Sequence, residues 1–116
     1  MFRKELQSFG HAFRGLKFLF QTQKHFRFHL LATLAVNGMA WYLNLEKSEW
    51  WILLLCCALV LGMEGLNSAL EIALDRLHPE QHPMIGKAKD MAAAAVLICA
   101  IISGVVGIWI FLPYLL

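Results

Sequence analysis

Hydrophobic and polar residues follow two different patterns along the chain. Over the first twenty residues apolar side chains recur every three or four positions, with polar and basic ones mostly between them; the apolar ones are Phe2, Leu6, Phe9, Phe13, Leu16 and Phe20. This spacing puts them on one face of a helix. The sequence therefore predicts a basic amphipathic helix over residues 2–20, suited to a membrane surface or to packing against another helix.

Three long apolar runs follow, at residues 30–45, 50–63 and 91–116, and none contains a charged side chain. Apolar segments of this length are typical of helices that cross a bilayer. We expect three membrane-spanning helices, at about residues 28–45, 50–74 and 90–112.

Composition and charge support this interpretation. Hydrophobic residues make up 59% of the 116 residues, more than a soluble domain of this size can bury. Of the ten Lys and Arg residues, six precede the first apolar run and three lie between residues 76 and 89. The positive-inside rule then predicts a cytoplasmic N-terminus and a cytoplasmic loop over residues 76–90. Because no linker or repeat interrupts the chain, we expect one domain over residues 1–116.

A row of polar side chains ends the second apolar run. Glu64, Asn67, Glu71 and Asp75 fall within about 80° of one another on a helical wheel. Residues 50–63 rise only about 21 Å as a helix, whereas a bilayer core is about 30 Å thick. The helix should therefore carry Glu64 and Asn67 at or inside the cytoplasmic edge of the membrane.

Three explanations of this row compete on its spacing alone. The helix leaves the membrane near Glu64 and the carboxylates are merely solvated, or they bind Mg²⁺, or they line an ion pathway. The following segment contains Pro79 and Pro83, which predict a short turn ending near Lys87, Lys89 and Asp90. These last residues suit a phosphate and metal site, or they are ordinary positive flanks of a span.

Two segments here resemble the signature of the prokaryotic diacylglycerol kinase family, which includes the undecaprenol kinases. EGLNSALEIALDR followed by GKAKDMAAAAVL is similar to E-x-x-N-[ST]-A-x-E-x-x-x-D, a turn, and then K-D before a small-residue apolar helix. The residues that match are Glu64, Asn67, Ser68, Ala69, Glu71, Asp75, Lys89 and Asp90.

The resemblance implies a fold and a chemistry. The fold would be an all-α membrane protein, with an N-terminal amphipathic surface helix and three transmembrane helices, assembled as a homotrimer in the bacterial inner membrane. The activity would be transfer of the γ-phosphoryl group of ATP, with Mg²⁺, to the hydroxyl of a membrane lipid alcohol. Such an enzyme uses no P-loop, and no nucleic acid partner is expected.

The resemblance also implies roles for individual residues. Glu64 would be the general base, Asn67 would orient the reacting groups, Lys89 would neutralise the transferring phosphoryl group and Asp90 would position Lys89. Candidate nucleotide contacts are Lys4, His11, Asp75, Lys87 and Lys89. Candidate metal ligands are Glu71 and Gln23.

The chain departs from the family pattern at two of these positions. Gln23 stands where the family usually has a second metal-binding glutamate, and His11 stands where it often has tyrosine. Arg27, His29 and the segment 107–113 look closer to the undecaprenol kinase branch, so we expect undecaprenol ahead of diacylglycerol as acceptor. The alternative is a non-catalytic small trimeric membrane protein, such as a channel, a transporter subunit or an inactive family member.

Overall fold

The structure, a computed structural model, describes all residues from Met1 to Leu116 and contains four helices and no strand. The helices are α1 (Phe2–Thr22), α2 (Lys24–Leu43), α3 (Lys47–Leu77) and α4 (Pro83–Leu115). Helix α3 packs mainly on α4 and less extensively on α2, and α1 contacts α2. The prediction of an all-α protein is confirmed.

Helix α1 begins where the sequence predicts and buries none of its residues. It meets the rest of the chain near its C-terminal end, where a Cβ built on Gly65 would lie 3.4 Å from Leu19 Cδ1. The Arg27 guanidinium donates hydrogen bonds to the carbonyl oxygens of Phe20 (2.8 Å) and Gln21 (3.1 Å). These carbonyls have no partner inside α1, so Arg27 both caps α1 and ties it to α2.

The turn between α2 and α3 is short, and hydrogen bonds at the end of α2 and the start of α3 define it. Asn44 adopts a left-handed conformation (φ 56°) and its N–H donates to Trp41 O, while the Leu45 N–H donates to Ala40 O. This is a Schellman motif, which stops α2 at Leu43 rather than at the predicted residue 45. Glu46 and Glu49 then form a capping box that starts α3.

A small core lies at this end of the bundle. Its buried members are Ala40, Leu45, Leu53, Ile110 and Phe111. The Tyr114 hydroxyl donates a hydrogen bond to the Glu49 carboxylate and so joins the end of α4 to the start of α3. That hydrogen bond, together with partial desolvation and the negative charge of the Glu49 carboxylate, raises the pKa of the Tyr114 phenol.

At the opposite end, α3 and α4 are joined by residues 78–82. Pro83 occupies the first turn of α4, and the His82 ring accepts a hydrogen bond from the Met84 N–H at 3.1 Å. Proline suits a helix start because its missing N–H would be unpaired there anyway. Lys87, Lys89 and Asp90 consequently lie inside α4, and the expectation of a turn running up to them is wrong.

Much of the apolar surface faces outward. Only 10 of 116 residues are buried. Helices α3 and α4 are long and apolar enough to cross a membrane, and only 22% and 17% of their most apolar windows are buried inside the chain. A core helix of a soluble protein would be largely covered. Helix α2, which carries Lys24, Arg27 and two histidines, does not pass the same test, so the first of the three spans stays a prediction.

The small core predicts a difference between two leucines on α3. Leu53 is 4% exposed and Leu55 is 63% exposed. We expect Leu53→Ala to lower the free energy of unfolding by about 2–5 kcal/mol, because it leaves a cavity. Leu55→Ala should change it by about 0.5 kcal/mol or less. Unfolding by denaturing detergent in mixed micelles measures both, and equal losses would contradict the packing described here.

Candidate active site

The polar row on α3 passes from buried to exposed along the helix. Glu64 is only 5% exposed, Asn67 and Glu71 are half-buried, and Asp75 is exposed. All four lie on one continuous helix, as the spacing predicts. The hypothesis of merely solvated carboxylates therefore fits Asp75 and is wrong for Glu64, which is removed from solvent.

Glu64 has one charged or chargeable neighbour within ion-pair distance. His29 Nε2, on α2, lies 3.8 Å from Glu64 Oε2, and the His29 side chain is 21% exposed. The Phe28 ring lies edge-on to the imidazole, with ring centroids 5.6 Å apart. A buried carboxylate is costly unless a partner compensates it. His29 is the partner that this chain supplies.

Two oxygen groups further along α3 from Glu64 have no protein partner. Asn67 Oδ1 is buried and accepts no hydrogen bond. Glu71, one turn further along, forms none of the side-chain hydrogen bonds or ion pairs of the structure. Buried oxygens without partners are uncommon and usually bind water, an ion or a ligand. The fully buried Ser68 lies beside them.

These oxygens fit a magnesium ion. No three His, Cys, Asp or Glu side chains come together as a ready-made metal cluster. Mg²⁺ does not need one, because it prefers oxygen ligands and commonly binds through one or two carboxylates plus water and phosphate oxygens. The Glu71 carboxylate and the unpaired Asn67 Oδ1, one turn apart on α3, are the groups of this chain that could hold it.

A polar cleft of about 640 Å³ opens beyond the exposed end of the row. Lys89 Nζ donates a hydrogen bond to Asp75 Oδ1 across it, joining α4 to α3. The loop of residues 78–82 and the first turn of α4 complete its walls. Its lining is almost entirely polar, and Lys89 is its one lysine, opposite the carboxylates of Asp75 and Glu80.

Other predicted site residues stay apart within one chain. Lys4 and His11 lie on the exposed face of α1, and the His11 ring accepts a hydrogen bond from Arg14 at 2.6 Å. The Gln23 amide donates to Thr22 Oγ1 at 3.2 Å and does not contact Glu71. Lys87 and Asp90 are exposed and form no side-chain hydrogen bond or ion pair. The structure thus brings together Asp75 with Lys89, but not these five.

The contact between His29 and Glu64 is the feature that sequence reasoning missed. His29 attracts attention in the sequence only through a local pattern with Arg27. A signal was available, because His29 lies just before the first apolar run and Glu64 just after the second. Two antiparallel helices joined by a short turn bring such positions to the same end of a bundle.

Fold and site together define a class. The chain is a helical membrane protein with a buried carboxylate, a buried amide oxygen without a partner and a polar cleft that contains a lysine, all at one end of the bundle. The family described as prokaryotic diacylglycerol kinase matches residues 10–111. The chain belongs to that family and is a lipid kinase.

Individual relatives agree with this assignment. The chain is 38% identical over 109 residues to the undecaprenol kinase of Bacillus subtilis strain 168, covering 94% of this chain and 89% of that protein. It is 33% identical over 102 residues to the diacylglycerol kinase of Escherichia coli K12, covering 88% and 84%. It is 40% identical over 112 residues to the diacylglycerol kinase of Synechocystis sp. PCC 6803. The aligned region covers 96% of this chain but only 64% of that longer protein.

The Asp75–Lys89 pair should contribute little to stability. Asp75 is 65% exposed and Lys89 is 32% exposed, and exposed ion pairs contribute about 0–1 kcal/mol. We expect Asp75→Asn, Lys89→Met and the double variant to give a coupling free energy below about 1 kcal/mol in detergent unfolding. A coupling of several kcal/mol would show instead that the pair holds α3 and α4 together. A small coupling would allow any loss of activity to be assigned to chemistry.

Proposed function

We propose that this protein phosphorylates the hydroxyl of a membrane lipid alcohol, using ATP and Mg²⁺, with undecaprenol ahead of diacylglycerol as acceptor. The observation that carries the proposal is the buried Glu64 beside His29, within a segment that matches the family. The location suits the reaction, because a lipid hydroxyl lies near the membrane edge and a soluble nucleotide approaches from the aqueous side.

Glu64 acts as the general base. Its carboxylate accepts the proton of the lipid hydroxyl while the hydroxyl oxygen bonds to the γ-phosphorus, and ADP leaves with the electrons of the broken phosphoanhydride bond. A carboxylate needs only hydrogen-bond reach of that proton. Asn67, one turn away, orients the reacting groups through its amide.

Glu71 and Asn67 would provide oxygens to hold Mg²⁺, and the ion would supply positive charge to the triphosphate. Lys89 provides a second cation for the transferring phosphoryl group, and its pairing with Asp75 holds the ammonium at the mouth of the cleft. Asp90, which follows Lys89 on α4, would position Lys89 in the assembled site. Phosphoryl transfer depends mainly on positioning and charge neutralisation, so this set of residues is sufficient in kind.

The remaining nucleotide and metal contacts come from residues that do not meet Asp75 within one chain. Lys4, His11, Lys87 and Gln23 are the candidates. A homotrimer would let the α1 helix of one protomer approach the cleft of another, which supplies a reason for a helix that buries none of its own residues. We propose this assembly, with residues 1–116 as one domain.

For topology we propose a multi-pass protein of the bacterial inner membrane with α2, α3 and α4 all crossing it. The N-terminus and the residue 78–82 loop would then face the cytoplasm, where ATP is available. The excess of Lys and Arg at that end supports this orientation. Helix α1 would lie on the inner surface with its exposed phenylalanines in the lipid.

The acceptor is proposed from two observations. The Bacillus subtilis relative named undecaprenol kinase is matched along 89% of its length. The segment that contains Arg27 and His29 and the end of α4 resemble the same branch. A non-catalytic trimeric membrane protein is the alternative, and it would have no reason to combine the same carboxylates with Lys89 and a nucleotide.

The reaction itself is the first test. Purified protein in mixed micelles is supplied with radiolabelled ATP and Mg²⁺, with undecaprenol and diacylglycerol in separate reactions. We expect labelled lipid phosphate, faster with undecaprenol, and a loss of at least about 100-fold in kcat for Glu64→Gln because the proton acceptor is removed. Glu5→Gln, an exposed glutamate on α1, is the matched control and should keep native activity.

Two results would contradict the proposal. Native activity in Glu64→Gln would show that Glu64 is not the general base. No labelled product with either lipid, from folded protein at high Mg²⁺, would favour the non-catalytic alternative.

Gln23 predicts an unusual dependence on magnesium. An amide oxygen carries no net charge and binds Mg²⁺ more weakly than a carboxylate. We expect Gln23→Glu to lower the Mg²⁺ concentration that gives half-maximal activity, with Gln21→Glu as a control for the added charge. Identical Mg²⁺ titrations for Gln23→Glu and native protein would mean that position 23 is not a metal position.

A further inference from the structure

We propose that His29 acts through Glu64 as the acceptor that carries the reaction proton away from the site. This inference rests on the proposed function, in which Glu64 takes the proton of the lipid hydroxyl. A base that has taken a proton must lose it before the next turnover. Glu64 is only 5% exposed, so direct release to bulk water is restricted.

The geometry provides the exit. His29 Nε2 lies 3.8 Å from Glu64 Oε2, slightly beyond hydrogen-bond distance. Contacts of this kind are often long before substrate binds and tighten in the reacting complex. The His29 side chain is 21% exposed, three times the 7% of the Glu64 side chain. The chain therefore covers the imidazole less than it covers the carboxylate that the imidazole faces.

Histidine is chemically suited to the step. An imidazole accepts a proton at one ring nitrogen and can release one from the other, which suits histidine to proton transfer. The other basic side chains in this part of α2 do not pair with Glu64. The Arg27 guanidinium donates hydrogen bonds to carbonyls of α1, and Lys24 and His25 are exposed. No other ionisable side chain forms an ion pair with Glu64.

The proton balance closes without any further reactant. The O–H bond of the lipid breaks and its proton moves to a Glu64 oxygen, giving a carboxylic acid. The Glu64 proton then moves to His29 Nε2, giving an imidazolium and restoring the carboxylate. The imidazolium forms an ion pair with the carboxylate at that moment and then releases its proton to water. Phe28, edge-on to the ring, limits rotation of the imidazole away from Glu64.

The test compares His29→Ala and His29→Gln with native protein in the same lipid phosphorylation assay. We expect both to lower kcat by about 10- to 100-fold, because water is a poorer proton acceptor than a positioned imidazole. KM for ATP and for the lipid should not change, since the proposal gives His29 no role in binding either substrate. His25→Gln is the matched control: it is a histidine of the same helix, is exposed, forms no side-chain hydrogen bond and should keep native kcat.

Imidazole added to the assay separates proton transfer from a structural role. Free imidazole should raise the kcat of His29→Ala, where the side-chain space is vacated, and should leave His29→Gln and native protein unchanged. Rescue of this kind does not occur if His29 merely packs against Glu64. Failure of imidazole to rescue a folded, slow His29→Ala would overturn the proposal, as would native kcat in His29→Gln. If His29→Ala does not fold, the His29→Gln result decides.

Glu64→Gln in the same experiment keeps this inference distinct from the proposed function. A native protein that labels no lipid means that the function itself has failed. Native activity that is lost in Glu64→Gln but fully kept in both His29 variants means that the proposed function stands and the proton leaves by another route.

Discussion

The structure depends on the presence of a carboxylate inside an apolar helical bundle. Glu64 lies at 5% exposure on a helix whose preceding fourteen residues carry no charge. Such a group is unfavourable unless a partner stabilises it. His29 approaches from α2 to 3.8 Å and contributes to the packing of α2 on α3. The position of α2 in turn fixes α1, because Arg27, two residues before His29, binds the last carbonyls of α1.

The two ends of the bundle have different tasks. At one end, the Schellman turn at Asn44, the capping box at Glu46 and the Tyr114–Glu49 hydrogen bond satisfy the helix termini around a small apolar core. At the other end, Asn67 Oδ1 lacks a partner and the ion pair of Asp75 is exposed. Stability is concentrated where no chemistry is proposed. Unsatisfied polar groups are concentrated where a ligand would satisfy them.

The sequence predicts the helices well because their period and their breaks are local properties. The amphipathic helix at residues 2–20, the break near residue 45 and the row on α3 all follow from spacing. The helix limits were less accurate: α4 begins at Pro83 because His82 caps it, although Pro83 and the three- and four-residue spacing of Met84, Ile85 and Ala88 are typical of a helix start. The sequence places His29 and Glu64 at the same end of the bundle, but helical spacing does not specify that the two side chains face each other. For the same reason, a single chain does not show which site residues Lys4 and His11 would approach.

Depth along one helix offers a general explanation of how a small helical protein can join a lipid to a nucleotide without a phosphate-binding loop. Glu64, Glu71 and Asp75 follow one another on α3 at increasing exposure. A lipid hydroxyl stays near the apolar region, a triphosphate stays in water, and a hard cation binds between them where oxygens from both sides are available. In the proposed reaction, the order of residues on α3 would match the order in which lipid hydroxyl, cation and triphosphate lie across the membrane boundary. A site made of loops needs several chain segments to place groups at successive depths. A single helix that crosses the boundary places them through its rise per residue.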